Sequence, residues 1–120
     1  MLLLLLAACV VSSAFPDYQD PVTAGPPLSL PTTASCSVSV FADEPLSGYS
    51  QVATAPVKLP PHCPATWQKV LLHWRGSVAG VQFDRYGGLW MGEVEVLRTT
   101  TPEPDAAGIS WSIDKDITAS

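Results

Sequence analysis

The sequence predicts an all-β chain, folded as a sandwich or an open barrel. Short stretches alternate apolar with polar residues at period two and are rich in β-branched and aromatic side chains, as in Ser35–Phe41, Trp67–Arg75 and Ile109–Ile113. Turn-forming residues punctuate them at short intervals. The tally is roughly five to seven short strands and no convincing helix.

The amino terminus reads differently. Met1–Ala14 is MLLLLLAACVVSSA, and its apolar run Leu2–Val11 is too short for a hydrocarbon core, which takes about 20 residues. Ser12 and Ala14 follow at the spacing a signal peptidase prefers. Residues 1–14 therefore read as a secretory signal peptide cleaved after Ala14, although no Lys or Arg precedes the run; a buried strand or helix is the competing reading. Residues 15–33 hold Pro16, Pro21, Pro26, Pro27 and Pro31, each with fixed φ and no backbone donor, so an extended linker or surface arm is expected. Residues 34–120 form the one small domain such a length allows.

Composition narrows the function. Net charge is −5, and the six Lys and Arg residues are scattered, which excludes the clustered basic face that a nucleic-acid binder needs. Nothing after the leader is apolar for long enough to anchor the chain in a membrane, and there is no Asn to accept an N-glycan. The chain is 47% hydrophobic and only 14% charged. So many apolar groups in so short a chain point to an N-terminal piece of a larger protein.

Once Cys9 leaves with the leader, Cys36 and Cys63 are an even pair in an oxidising compartment. A bridge between them is favoured and contributes roughly 3.5 kcal/mol by loop entropy. Two buried free thiols, or pairing outside this chain, are the alternatives. No CxxC and no His-Cys cluster is visible along the sequence, so no metal site is expected.

The elements follow in order. Cys36, Val38 and Val40 alternate with serines in the first strand of the domain. Ala42–Gly48 is a loop, Gln51–Val57 a weak strand, and Val57–Pro64 too proline-rich for a central strand, with His62 exposed in its bend. In Trp67–Arg75, Val70, Leu72 and Trp74 face one way and Leu71, His73 and Arg75 the other; His73 has no partner nearby in sequence and reads as an ordinary strand residue. Gly87–Thr101 is a hairpin around Gly92 or one bent strand, with Val94 and Val96 inward and Glu93 and Glu95 outward on a solvent face. Trp90, flanked by Leu89 and Met91, is expected in the core rather than as a sugar platform. Thr101–Gly108 is a loop, Ile109–Ile113 a strand, and Lys115–Thr118 a turn or a helix start with Asp116 near its cap.

Between the strands lies Gly80–Trp90, GVQFDRYGGLW, where Asp84-Arg85 sits between Phe83 and Tyr86 ahead of Gly87-Gly88. A carboxylate beside aromatic rings loses solvation, which raises its pKa toward general-acid use, while the adjacent guanidinium acts in the opposite sense. A tight turn with a solvated ion pair is the competing reading. Nucleophile-elbow, P-loop and HExxH motifs are absent.

Several blocks then match a known family in order: CSVSVF at Cys36–Phe41, HCP at His62–Pro64 and W-x-x-V-x-L-x-W at Trp67–Trp74. QFDRYGGLW at Gln82–Trp90, EVEVLRTTTPEP at Glu93–Pro104 and GISWSIDKDIT at Gly108–Thr118 follow. Together they resemble the N-terminal part of the glycopeptide amidase A family, the peptide-N4-(N-acetyl-β-glucosaminyl)asparagine amidases. The resemblance implies two jelly-roll sandwiches side by side with the site between them. This chain would supply the first, incomplete one. It implies hydrolysis of the amide joining an N-linked glycan to asparagine in a glycopeptide or glycoprotein substrate, with no metal or organic cofactor. In related bacterial glycoamidases an aromatic-Asp-Arg-Tyr segment carries the principal catalytic aspartate. The match assigns that role to Asp84, substrate contact to Arg85 and, where the bacterial segment has tryptophan, a sugar-stacking role to Phe83. The family's further acidic groups match no motif here, so a complete site needs a further C-terminal portion. Entry into the secretory pathway implies a secreted, cell-wall or vacuolar protein. The alternative function is a non-catalytic β-sandwich that binds glycan or a partner.

Overall fold

The structure, a computed structural model, describes residues 2–7 as backbone, and residues 27–46, 48–81, 83, 85–102 and 106–119 with their side chains. Among these residues every regular element is a strand: β1 Leu2–Ala7, β2 Ser35–Val38, β3 Trp67–Val78, β4 Tyr86–Met91, β5 Val94–Thr100 and β6 Ile109–Asp116. None of them is a helix long and apolar enough to cross a membrane. The expected all-β class is what forms, as two small sheets with no closed barrel among the described residues.

The larger sheet has the order β2-β1-β3-β6, with β1 parallel to both neighbours and β6 antiparallel to β3. The smaller sheet is the β4–β5 hairpin. Its turn falls at Gly92, whose φ of 61° suits the first loop position of a type II′ turn, where a side chain is disfavoured. Of the two forms expected for Gly87–Thr101, the hairpin is the one that forms.

The layers meet where the periodicity of β3 predicts. Leu72, Val96, Leu97 and Ile117 are the buried centre, and Val38, Val70, Trp74, Leu89 and Ile113 pack around them. Each such side chain contributes about 1.5–3 kcal/mol on leaving water. Lys115, opposite Leu72 in the register, donates from Nζ to the carbonyl of Val96 at 2.7 Å and so ties the sheets together. Gly76 faces Trp111 across the β3–β6 ladder and leaves room for the indole.

Cys36 and Cys63 form a disulfide, their Cα atoms 5.7 Å apart, within the range a bridge spans. It fastens β2 to the bend ahead of β3.

Several expectations change. The first strand of the domain stops at Val38 rather than Phe41. Gln51–Val57 forms no strand; Pro56 lacks the donor a ladder needs, and most of this stretch is exposed. The strands at 67 and 109 run on to Val78 and Asp116 because each supplies the other's partners. β6 then ends in a turn, not a helix: the Asp116 carboxylate accepts from the N–H of Thr118 at 3.0 Å and from its hydroxyl at 2.5 Å.

The apolar run assigned to the leader occupies the middle of the sheet as β1. Cleavage after Ala14 would remove that strand and leave the facing edges of β2 and β3 without it. Residues 8–26, with most of the expected linker, lie outside the described residues; 27–34 form no strand. That arm is held where Lys69 Nζ donates to the Ser29 carbonyl at 2.6 Å while pairing with Asp116 at 3.0 Å.

Candidate active site

β4 begins directly after the Asp-Arg step, so the hairpin positions the segment singled out above. The N–H of Thr101 donates to the Arg85 carbonyl at 3.0 Å, and the N–H of Arg85 donates to Thr101 Oγ1 at 3.3 Å. This pair extends the β4–β5 ladder by one step and pins the segment to the end of β5. Phe83, Arg85 and Tyr86 are all exposed. Arg85, Tyr86, Thr100 and Thr101 line an open cleft of about 400 Å³. Asp84 and Gln82 lie outside the described residues, so the principal predicted site residue is bracketed by exposed neighbours without itself being placed.

The outward face of the hairpin continues from this cleft. Tyr86, Gly88 and Trp90 alternate along β4, and Thr100, Arg98 and Glu95 stand opposite them on β5. Trp90 is 57% exposed, contrary to the expectation that it lies in the core. The register explains the correction. Leu89 pairs with Leu97 but Trp90 pairs with Glu95, so Val96 is an extra residue, a bulge. The bulge lets both Val96 and Leu97 face the core with Leu89; Trp90 points outward because it alternates with Leu89 along β4, and the bulge sets Glu95 beside it in place of Val96. Val94, also expected inward, is exposed, because it pairs with Met91 at the hairpin tip beyond Leu89.

Glu95 and Arg98 form a bidentate pair, with Nε to Oε1 at 3.0 Å and Nη2 to Oε2 at 2.8 Å. Hydrogen bonding and charge from Glu95 raise the Arg98 pKa, and the Tyr86 phenol adds in the same sense, which places all three groups on one surface. Glu93 lies in the turn, so the two outward glutamates do not act as a pair of acids.

Other reactive side chains gather elsewhere. His73 stands opposite Asp114 in the β3–β6 ladder; its Nδ1 meets the Asp114 carboxylate, and Arg75 Nε donates to its Nε2 at 3.1 Å. The partner that sequence could not supply is thus a cross-strand one. The network lies on the other sheet, on the face opposite Trp74 and Ile113. His62, exposed as expected, joins Cys36 and Cys63 in a cluster of ligand atoms within 4.8 Å of one another. His62 precedes Cys63 directly in the chain, and the bridge brings Cys36 to both. Both sulfurs are committed to the disulfide and offer no thiolate to a metal.

Residues 21–120 match the family model described as peptide N-acetyl-beta-D-glucosaminyl asparaginase amidase A. The peptide-N4-(N-acetyl-beta-glucosaminyl)asparagine amidase A of Prunus dulcis is 37% identical over 94 residues, covering 77% of this chain and 16% of that protein. The chain therefore spans about one sixth of the length of this curated relative. No solved structure gives a significant match. With nearly all of the chain after position 20 inside the family model, it belongs to the peptide N-acetyl-beta-D-glucosaminyl asparaginase amidase A family.

Proposed function

We propose that the chain supplies part of the active site of a glycoamidase that hydrolyses the amide between an N-linked glycan and asparagine, with Asp84 as its acid. What carries the reading is the Phe83–Tyr86 segment: it resembles the catalytic segment of related bacterial glycoamidases, its described members are exposed, and Arg85 and Tyr86 line an open cleft. An amide is a poor electrophile and its nitrogen a poor leaving group. In this reading water adds to the carbonyl while the Asp84 carboxyl gives a proton to the departing nitrogen. The C–N bond breaks and a C–O bond forms. The peptide keeps an aspartate, and the nitrogen leaves on the glycan as a glycosylamine. Arg85, permanently charged, holds sugar hydroxyls or steadies the developing oxyanion, and Phe83 offers a ring to the sugar.

The same reading makes the described sheets part of the first jelly roll of a two-jelly-roll protein, which the leader would direct into the secretory pathway. It is tested on the protein expressed with any sequence its transcript encodes beyond Ser120. Glycan release from a glycopeptide is expected, with Asp84→Asn reducing kcat by about a hundredfold or more, the scale of general-acid catalysis. Undiminished release by that variant removes the assignment.

A second reading rests on the exposed aromatics of the hairpin: a non-catalytic sandwich that binds glycan or a partner. Glycopeptide binding with no release by any form of the protein would favour it.

A further inference from the structure

We infer that the outward face of the β4–β5 hairpin is a saccharide platform on which Trp90 stacks a pyranose ring and the Glu95–Arg98 pair binds its hydroxyls. The inference rests on the proposed glycoamidase reading in one respect only, the sugar class, N-acetylglucosamine oligomers. The surface itself is read from its own geometry.

A pyranose presents two kinds of surface. Its axial C–H groups form an apolar, weakly positive face, and its hydroxyls ring the edge. The matching protein surface is an exposed aromatic face, negative at its centre, with donors and acceptors at one side. The hairpin has both. Trp90 and Tyr86 are 57% and 79% exposed and point the same way on β4. Between them the space a side chain of Gly88 would fill is taken by the Trp90 indole nitrogen and Glu95 Oε1, 3.0 Å and 2.9 Å from an added Cβ. The indole edge and the carboxylate are therefore drawn close over the bare backbone.

Arg98 uses Nε and Nη2 on Glu95 and keeps its remaining N–H donors, while each Glu95 oxygen retains acceptor capacity. The pair thus holds a donor and an acceptor in fixed geometry, which suits neighbouring sugar hydroxyls. Thr100, opposite Tyr86, continues the face toward the cleft. From Tyr86 to Trp90 the strand rises about 13 Å, so the platform leads from the cleft beside Arg85 along the hairpin. The bulge at Val96 sets Glu95 opposite Trp90 on this surface, and bulges commonly re-aim a side chain next to a site.

The competing occupant is protein, a further part of the same polypeptide seated on Trp90. The charged pair favours sugar, since a protein interface depletes charge at its centre.

The test is titration of the 120-residue chain with chitobiose and chitotriose, and with cellobiose as control, following tryptophan emission and acrylamide quenching. Of the four tryptophans, Trp67, Trp74 and Trp111 are half-buried or buried, so Trp90 dominates the quenching. The expected result is a blue shift and protection from acrylamide with the N-acetylglucosamine oligomers. Trp90→Ala should weaken binding about tenfold or more, the scale of losing one aromatic platform. Arg98→Met, with circular dichroism unchanged, should weaken it as well. No saccharide-dependent change in the parent chain, or equal affinity in Trp90→Ala, overturns the inference, and the protein occupant then takes its place. The two proposals fail separately: binding without release by any form removes the amidase and keeps the platform. Release with an unchanged KM in Trp90→Ala removes the platform and keeps the amidase.

Discussion

Gly76→Ala tests the packing that holds β6 against β3. Gly76 lies opposite Trp111, and an added Cβ would stand 2.5 Å from Cζ2 and 2.8 Å from both Cε2 and Cη2 of the indole. Carbon atoms pack best at about 3.5–4.0 Å, so the overlap is on the order of 1 Å. Two effects oppose each other. Glycine in a strand interior is destabilising by roughly 0.5–1 kcal/mol relative to alanine, and the φ of Gly76 is not in the left-handed region, so backbone entropy favours the substitution. Overpacking a filled site costs about 1–3 kcal/mol. Trp111 is a rigid, 9% exposed side chain with little room to yield, so overpacking wins. The expected net loss of about 1–2 kcal/mol lowers Tm by roughly 4–16 °C in a domain of this size. Thermal unfolding followed by far-UV circular dichroism reads it. Trp111→Leu leaves a cavity and destabilises on its own, but in the Gly76→Ala background the new methyl fills part of that space. The two changes should therefore cost less together than in sum, by about 0.5–3 kcal/mol. An unchanged Tm in Gly76→Ala, or strict additivity in the double variant, would refute the packing argument.

Two further expectations concern the rest of the chain. The hydroxyl and N–H of Thr118, with Lys69, hold the Asp116 carboxyl at about 2, below its ordinary 3.8. A lowered carboxylate pKa stabilises the fold above 3.8 and loses that contribution as pH falls through about 2. Acid unfolding of Asp116→Asn should therefore be less steep across this window, and identical slopes for parent and variant would show that the turn contributes nothing. If residues 1–14 are a cleaved leader, intact mass of protein secreted by a eukaryotic host should place the first residue at Phe15. Amides of Leu71 and His73, which alternate with the Val70 amide on Thr118 and so face β1, should then exchange faster than in the uncleaved chain; a mature form beginning at Met1 rules the leader out.

How much of this was legible beforehand differs from residue to residue. Alternation along β3 assigned Val70, Leu72 and Trp74 to the core correctly, because a strand's side-chain period is local and needs no partner to read it. The Cys36–Cys63 bridge was legible from count and compartment. Trp90 was misread, since Leu89-Trp90-Met91 is apolar throughout and its alternation does not say which face is inward; packing of Leu89 on the core decides it. Asp114 could not be found as the partner of His73 because the two are 41 positions apart and meet only through the β3–β6 register. Asp84 was singled out by its segment alone; the cleft lined by Arg85, Tyr86, Thr100 and Thr101 joins residues from the two ends of the hairpin and is invisible along the chain.

By itself, then, the order of residues determined the strand class, the inward face of β3, the disulfide pair and the family, all of which are written in short-range pattern and composition. Tertiary structure alone decided the sheet order, the outward turn of Trp90, the Glu95–Arg98 surface beside it and the contacts of His73. Each of these depends on which strand lies next to which, and at what register. Pairing is set by the burial that the assembled layers achieve together, a quantity no single segment contains.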